Sequence, residues 1–258
     1  MTKNDGRLSA YAEGVSEHHE IVFRSDVTVE LVRHQASDAD VIFAARVSTQ
    51  GEQTLEGAAA GEQATERDRG LINYLMRDRH GSPFEHNSLT FYVQAPIFVF
   101  REFMRHRIAS YNEESGRYRE LRPVFYVPGP ERKLVQVGKP GAYEFEDGTS
   151  EQHQMAVDEI KAACTAGYEA YTRMLDAGIA REVARVSLPV SLYSSMYVTM
   201  NARSLMNFLS LRTTREGTHF PSFPQREIEM VAEKMEAFWE PLMPMTAETF
   251  NANGRVAP

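Results

Sequence analysis

The sequence predicts one α+β domain, a mixed or antiparallel sheet flanked by long helices. Three observations carry this prediction. Segments with alternating apolar residues occur at 26–34, 88–94 and 191–200. A long helical pattern fills 151–177. The stretches that most resemble linkers, 51–63, 128–150 and Leu175–Gly178, leave no self-sufficient half on either side, and there is no internal repeat. With 258 residues, 42 % of them hydrophobic, the chain can build one large core.

Taken in order, residues 1–20 read as a loose polar arm. "DVTVELVRH" (Asp26–His34) alternates Val27, Val29 and Leu31 and predicts a strand. "SDADVIFAARVS" (Ser37–Ser48) puts Val41, Ala44, Ala45 and Ser48 at helical spacing, with Ser37 as cap. The 51–63 stretch, rich in Gly, Ala and Gln, predicts a mobile loop, and Glu66–His80 a helix. "HGSPFEH" predicts another helix start: Ser82 caps, Pro83 takes the first position and Glu85 closes a capping box. Ser88–Gln94 reads as a strand, and Pro96 then opens the helix "PIFVFREFMRHR". Gly81, Gly116 and Gly129 mark turns, and 128–150 is expected to be a long irregular connection. On the helix at 151–177, Ile160, Cys164, Tyr168, Tyr171 and Leu175 share a face. Pro189 interrupts the chain, a strand follows, and Asn201 caps "ARSLMNFLSLR" before a last amphipathic helix near 225–242.

Composition excludes several classes. A formal net charge of −8 argues against a dedicated nucleic-acid binder. The single cysteine, Cys164, permits no internal disulfide and no CxxC metal site. No apolar run approaches the ~18 residues of a membrane span. The polar N-terminus lacks a signal-peptide core, so a cytoplasmic protein without membrane contact is expected.

Against that acidic background, "RHRIASYNEESGRYRE" (Arg105–Glu120) gathers four arginines and a histidine among carboxylates and hydroxyls. Arg105-His106-Arg107 either compensates a helix dipole or fans out toward a ligand. The Ser115-Gly116-Arg117 step suits a phosphate, with hydroxyl and N–H donors beside a guanidinium fork, although a solvated turn would look similar. Arg203 and Asn207 share a helix face above Asn201, as a nucleotide or cofactor ledge or as a salt-bridged surface. His80 and His86 have no third ligand at metal spacing, so no metal is expected. Cys164 sits on an apolar stripe and reads as core, not as a nucleophile. A non-catalytic nucleotide- or RNA-binding protein using the 105–117 loop is the alternative to an enzyme.

Together these segments resemble the flavin-dependent thymidylate synthases. The signature R-H-R, seven residues and a serine is met by Arg105-His106-Arg107 and Ser115. Three further blocks match in order: "GSPFEH", "APIFVFREFMRHR" and "REVARVSLPVSLYSSMYVTMNARSLMNFLSLR". The resemblance covers about residues 70–127 and 151–240. It implies a homotetramer with active sites between subunits, FAD as cofactor, and dUMP, 5,10-methylenetetrahydrofolate and NADPH as substrates. It further implies reductive methylation of dUMP to dTMP without a cysteine nucleophile. The dUMP residues it implies are Glu102, Arg105, Glu113, Ser115, Gly116, Arg117, Arg185 and Arg212. Arg117 and Arg185 fall to the phosphate, and Arg212 and Ser115 to catalysis. The FAD residues it implies are His80, Ser82, Glu85, Arg105, His106, Arg107, Ile108, Asn201, Arg203, Asn207 and Leu211. Two departures stand out: Glu102 replaces a glutamine common among relatives, and the 213–224 link carrying His219 is longer than usual before Gln225.

Overall fold

The computed structural model describes residues 20–55, 64–139 and 142–258. Most of the expected 1–20 arm and the 56–63 part of the expected loop lie outside the described residues. The centre is a four-stranded antiparallel sheet in the order β2-β3-β8-β4, formed by Thr28–Gln35 (β2), Ser88–Pro96 (β3), Tyr193–Met200 (β8) and Ser110–Glu113 (β4). Alternation decides its faces. Leu89, Phe91, Val93 and Ala95 on β3 point with Met196, Val198 and Met200 on β8 into the core. Register pairs Phe91 with Val198 and Val93 with Met196. Thr90, Tyr92, Ser195 and Thr199 occupy the other face and bond across it, Thr90 to Thr199 and Tyr92 to Ser195, each at 2.9 Å.

Helices cover the apolar face. α1 (Asp38–Gln50) starts at Ser37, whose hydroxyl accepts from the Asp40 N–H, as the sequence predicts. α2 (Asp68–Arg77), α6 (Ala202–Arg212), α7 (Arg226–Trp239) and α8 (Pro244–Ala252) bury Ile72, Met76, Leu205, Phe208, Val231, Trp239 and Phe250 in the same core. Each such side chain contributes about 1.5–3 kcal/mol by leaving water. A smaller core of Phe125, Cys164 and Leu192 lies under α4 (Ser150–Asp176), with Ile160, Tyr168 and Leu188 packed against it. β1 (Val22–Arg24) runs parallel to β5 (Val124–Tyr126). α3 (Ile97–Phe103) follows β3 directly, and α5 (Arg181–Ala184) is one turn beyond α4.

Four expectations change. "SPFE" forms only a short 3-10 turn at Ser82–Glu85 with no side-chain cap. β3 begins at Ser88 and leaves no room for a helix, and the Glu85 carboxylate turns to Arg203. α3 stops at Phe103, so Arg105-His106-Arg107 lie in a turn beyond it. The 128–150 connection contains a hairpin, β6 (Val135–Lys139) with β7 (Ala142–Glu146), held by alternation that the surrounding Gly, Pro and charges obscure. Finally, Ser110–Glu113, read as loop, is the edge strand β4.

Candidate active site

Phe100 and Phe103 anchor α3 in the core, and the chain leaves it through a tight turn, with the His106 N–H donating to the Phe103 carbonyl at 3.0 Å. Tyr111 on β4 locks this turn. Its hydroxyl donates to the carbonyls of Phe103 and His106, at 3.1 and 2.6 Å. Burial pushes its pKa up to about 12, so it stays a donor. Arg105, Arg107 and Ile108 are thereby exposed, while His106 turns inward with its ring edge against Phe208 at 4.9 Å.

Arg212, at the last turn of α6, meets that histidine. Its Nε–H donates to His106 Nε2 at 3.0 Å, and its Nη1 to Glu102 Oε2 at 2.9 Å. An imidazole that accepts at Nε2 is neutral and carries its proton on Nδ1. Burial, then the nearby Arg212 charge, lower the His106 pKa to about 4. Burial raises the Glu102 pKa, the Arg212 attraction only partly offsetting it, with Glu227 adding repulsion. The result is a guanidinium fixed in plane by a carboxylate and a neutral imidazole.

The Ser115-Gly116-Arg117 turn follows β4. The Arg117 N–H donates to Ser115 Oγ at 3.3 Å, and Arg185 packs against Gly116, where an added Cβ would stand 3.3 Å from Arg185 Cδ and 2.7 Å from Leu121. A side chain there would push the Leu121 side chain aside. Arg117 pairs with Glu182 of α5 at 3.0 Å. Glu113 accepts from Ser194 Oγ at 2.7 Å, and burial raises its pKa above the usual carboxylate range. Among the described residues, Arg105 and Arg107 have no ion-pair partner, whereas Arg185 lies close enough to Glu113 for its charge to oppose the effect of burial on that carboxyl. In an acidic chain, cations left without carboxylates suit an anionic ligand.

Arg203, Asn207 and Leu211 line up at helical spacing along the exposed face of α6. Arg203 donates to Glu85 Oε1 and to the main-chain oxygen of Pro258, both at 2.5 Å. Gly81 lies directly beneath, where a Cβ would stand 2.5 Å from the guanidinium. His80 stacks on Tyr74 at 5.4 Å, Ser82 is exposed, and Asn201 uses its Oδ1 to cap α6 at the Ser204 N–H. A cation, an amide and an apolar side chain in a row are residue types that could hold the diphosphate and ring systems of a dinucleotide cofactor. Arg203 and Arg212 stand about 13 Å apart along α6, nine residues at 1.5 Å each.

The structure thus forms three groups: Glu102 with His106 and Arg212; Ser115, Gly116, Arg117 and Arg185; and Glu85 with Arg203, Asn207 and Leu211. Sequence reasoning passed over Glu182, Ser194 and the 254–258 tail. Glu182 stood inside a quoted block, and its place opposite Arg117 depends on tertiary contact. The tail carried one signal, Asn253-Gly254, a stop for α8. The described residues contain no group of three or more His, Cys, Asp or Glu that could hold a metal, and no helix long and apolar enough to cross a membrane.

The fold and site describe an α+β protein in which a half-buried Glu102–His106–Arg212 cluster lies near a set of exposed arginines. Residues 30–245 match the Thy1 family, described as thymidylate synthase complementing protein. The chain belongs to that family. It is 66 % identical over 237 residues to a flavin-dependent thymidylate synthase of Streptomyces avermitilis, covering 92 % of this chain and 95 % of the relative. A protein of the same name from Tropheryma whipplei is 61 % identical over 237 residues, covering 92 % and 97 %. Among solved structures, the UMP/dUMP methylase PolB of Streptomyces cacaoi bound with 5-Br dUMP is 56 % identical with a TM-score of 0.86. That similarity covers 92 % of this chain and 100 % of PolB. The same methylase with 5-Br UMP gives 55 % and 0.85.

Proposed function

We propose that this chain is a cytoplasmic, homotetrameric flavin-dependent thymidylate synthase. It methylates dUMP to dTMP with 5,10-methylenetetrahydrofolate as carbon donor and FAD, reduced by NADPH, as the source of hydride. The observation that carries the reading is the convergence of Arg212 on Glu102 and His106, at the head of the R-H-R…S motif. The relatives' names and the uridine nucleotides in the methylase structures support the substrate class.

Bound and reduced, FAD supplies the hydride. The chain's own residues bind, orient and polarise. Arg212 faces the pyrimidine, where a prefixed positive charge stabilises negative charge that develops on the ring. Ser115, Gly116, Arg117 and Arg185 take the phosphate, and Glu113 orients the sugar and base. Arg105, His106, Arg107, Ile108 and the α6 face hold the flavin. Cys164 is 1 % exposed with its thiol pKa raised by burial, so it does not supply a nucleophile. Assembly into a tetramer would cover Ile108, Tyr118 and Val186, all at least 77 % exposed, and α4, which buries only Cys164 and Tyr171.

The test is incubation of purified protein with FAD, dUMP, NADPH and methylenetetrahydrofolate carrying a labelled methylene carbon. Label in the methyl group of dTMP is expected. A protein that takes up no FAD and forms no dTMP would overturn the reading.

A further inference from the structure

The segment beyond α8 lies outside the 30–245 range of the family match, yet it touches both ends of α6. At the C-terminal end, Arg255 Nη2 donates to the Oγ1 of Thr213, the capping residue of α6, at 2.9 Å. The same guanidinium meets Glu236 of α7 at 2.6 Å, donates to Asn251 Oδ1 at 2.5 Å, and lies 4.8 Å from the Phe250 ring centroid. Arg255 is 5 % exposed and Glu236 4 %. The main chain is turned sharply to bring it there. Gly254 has φ +69, and Arg255 takes φ +56, a conformation that disfavours a side-chain-bearing residue. Three residues later, the main-chain oxygen of Pro258 accepts from Arg203 Nε at 2.5 Å. Ala257 packs on the main core and Pro258 is buried.

We infer that Gly254–Pro258 is a strap that positions the cofactor face of α6: Arg255 fixes the helix end that carries Arg212, and Pro258 aims the Arg203 guanidinium. The physical argument is orientation. Arg203 is 45 % exposed on its side chain, and Glu85, its other partner, is 42 % exposed. An exposed pair of that kind does not by itself hold a long side chain in one geometry. A buried main-chain acceptor on a segment clamped by Arg255 does. Gly81 completes the device, because a Cβ there would also stand 2.8 Å from the Pro258 oxygen. The strap residues are positioning residues and touch no substrate. The inference rests on the reading of Arg203, Asn207 and Leu211 as the FAD ledge.

A double-mutant cycle tests it. FAD is titrated into apo-protein by flavin fluorescence quenching for four forms: the full chain, the chain lacking Ala257 and Pro258, Arg203→Ala, and the combination. Deleting the two residues is expected to weaken FAD binding about tenfold, the scale of one charge-assisted hydrogen bond. In the Arg203→Ala background the same deletion is expected to change affinity by less than about twofold, because the contact is already gone. Arg255→Lys is measured in parallel. Lysine keeps the charge but cannot reach Thr213, Asn251 and Glu236 together, so FAD binding is expected to weaken here too, and this variant carries the test if the shortened chain does not fold. FAD affinity unchanged by both variants, or a deletion that costs the same in both backgrounds, would overturn the strap while leaving the ledge intact. Unchanged affinity in Arg203→Ala alone would overturn the ledge, and the strap with it.

Discussion

Arg212 and Arg117 each meet one carboxylate at nearly the same distance, 2.9 Å to Glu102 and 3.0 Å to Glu182. Their surroundings differ. The first pair is 20 % and 25 % exposed and is joined by a neutral histidine. The second is 54 % and 53 % exposed and bridges a turn to one short helix. A half-buried guanidinium with two oriented partners is held in place before any ligand arrives, which suits a charge that must act on a reaction. An exposed pair is worth about 0–1 kcal/mol, little enough for a phosphate carrying nearly two charges to displace it. Geometry alone does not separate the two arginines; burial does.

The largest effect should follow from breaking the fixed cluster. Arg212→Ala is expected to lower the rate of dTMP formation by about 100-fold or more, the usual scale for removing one fixed donor at a developing charge. Stopped-flow and steady-state rates on FAD-loaded protein check this. The same variant removes one of the two causes of the low His106 pKa, so an NMR titration should find that pKa risen. A rate within a few-fold of wild type would erase the distinction between the clusters.

Next comes the exposed cluster. Arg117→Ala is expected to weaken dUMP binding by about 10- to 100-fold and Arg117→Lys by less, because lysine keeps the charge and loses the fork. FAD affinity should hardly move in either.

Acid separates the regions again. His106 has a folded pKa near 4, below the ordinary 6.5, so the unfolded chain takes the proton first. Its contribution is therefore lost as pH falls from about 6.5 toward 4. Glu102 and Glu113 act oppositely, since their raised folded values favour the folded state as they protonate. Urea unfolding should show wild type losing more stability between pH 7 and pH 5 than His106→Asn does. Equal losses would contradict the burial of a neutral imidazole.

The smallest effect lies away from both clusters. Cys164→Ala removes a small buried group beside Ser191 and should cost about 1 kcal/mol of stability while dTMP synthesis continues. A folded, FAD-loaded variant with no activity would require a thiol step.

Residues whose placement depends on local rules were legible in the sequence. Ser37 and Asn201 cap the helices they were expected to cap, the strands at 28–35, 88–96 and 193–200 follow alternation, and on the expected apolar face of α4 Cys164 and Tyr171 are buried while Ile160, Tyr168 and Leu175 are partly buried. What escaped depends on distant contact. Glu85 fits the capping pattern, but Arg203, 118 positions away, takes its carboxylate. β4 has only four residues and pairs along one edge of β8, too short for its alternation to show against so many charges. The partners of the site arginines came from Glu182 and Pro258, and no spacing rule links them to Arg117 or Arg203.

The division of labour between the two arginines is tested most directly by titrating dUMP and deoxyuridine into wild type, Arg117→Ala and Arg212→Ala, with flavin absorbance as the readout. Removing the phosphate removes whatever Arg117 contributes. The account predicts that deoxyuridine binds wild type and Arg117→Ala equally poorly, while Arg212→Ala weakens both ligands by a similar factor. If Arg117→Ala binds dUMP as tightly as wild type, or weakens deoxyuridine as much as dUMP, the exposed cluster is not the phosphate site and the account is contradicted.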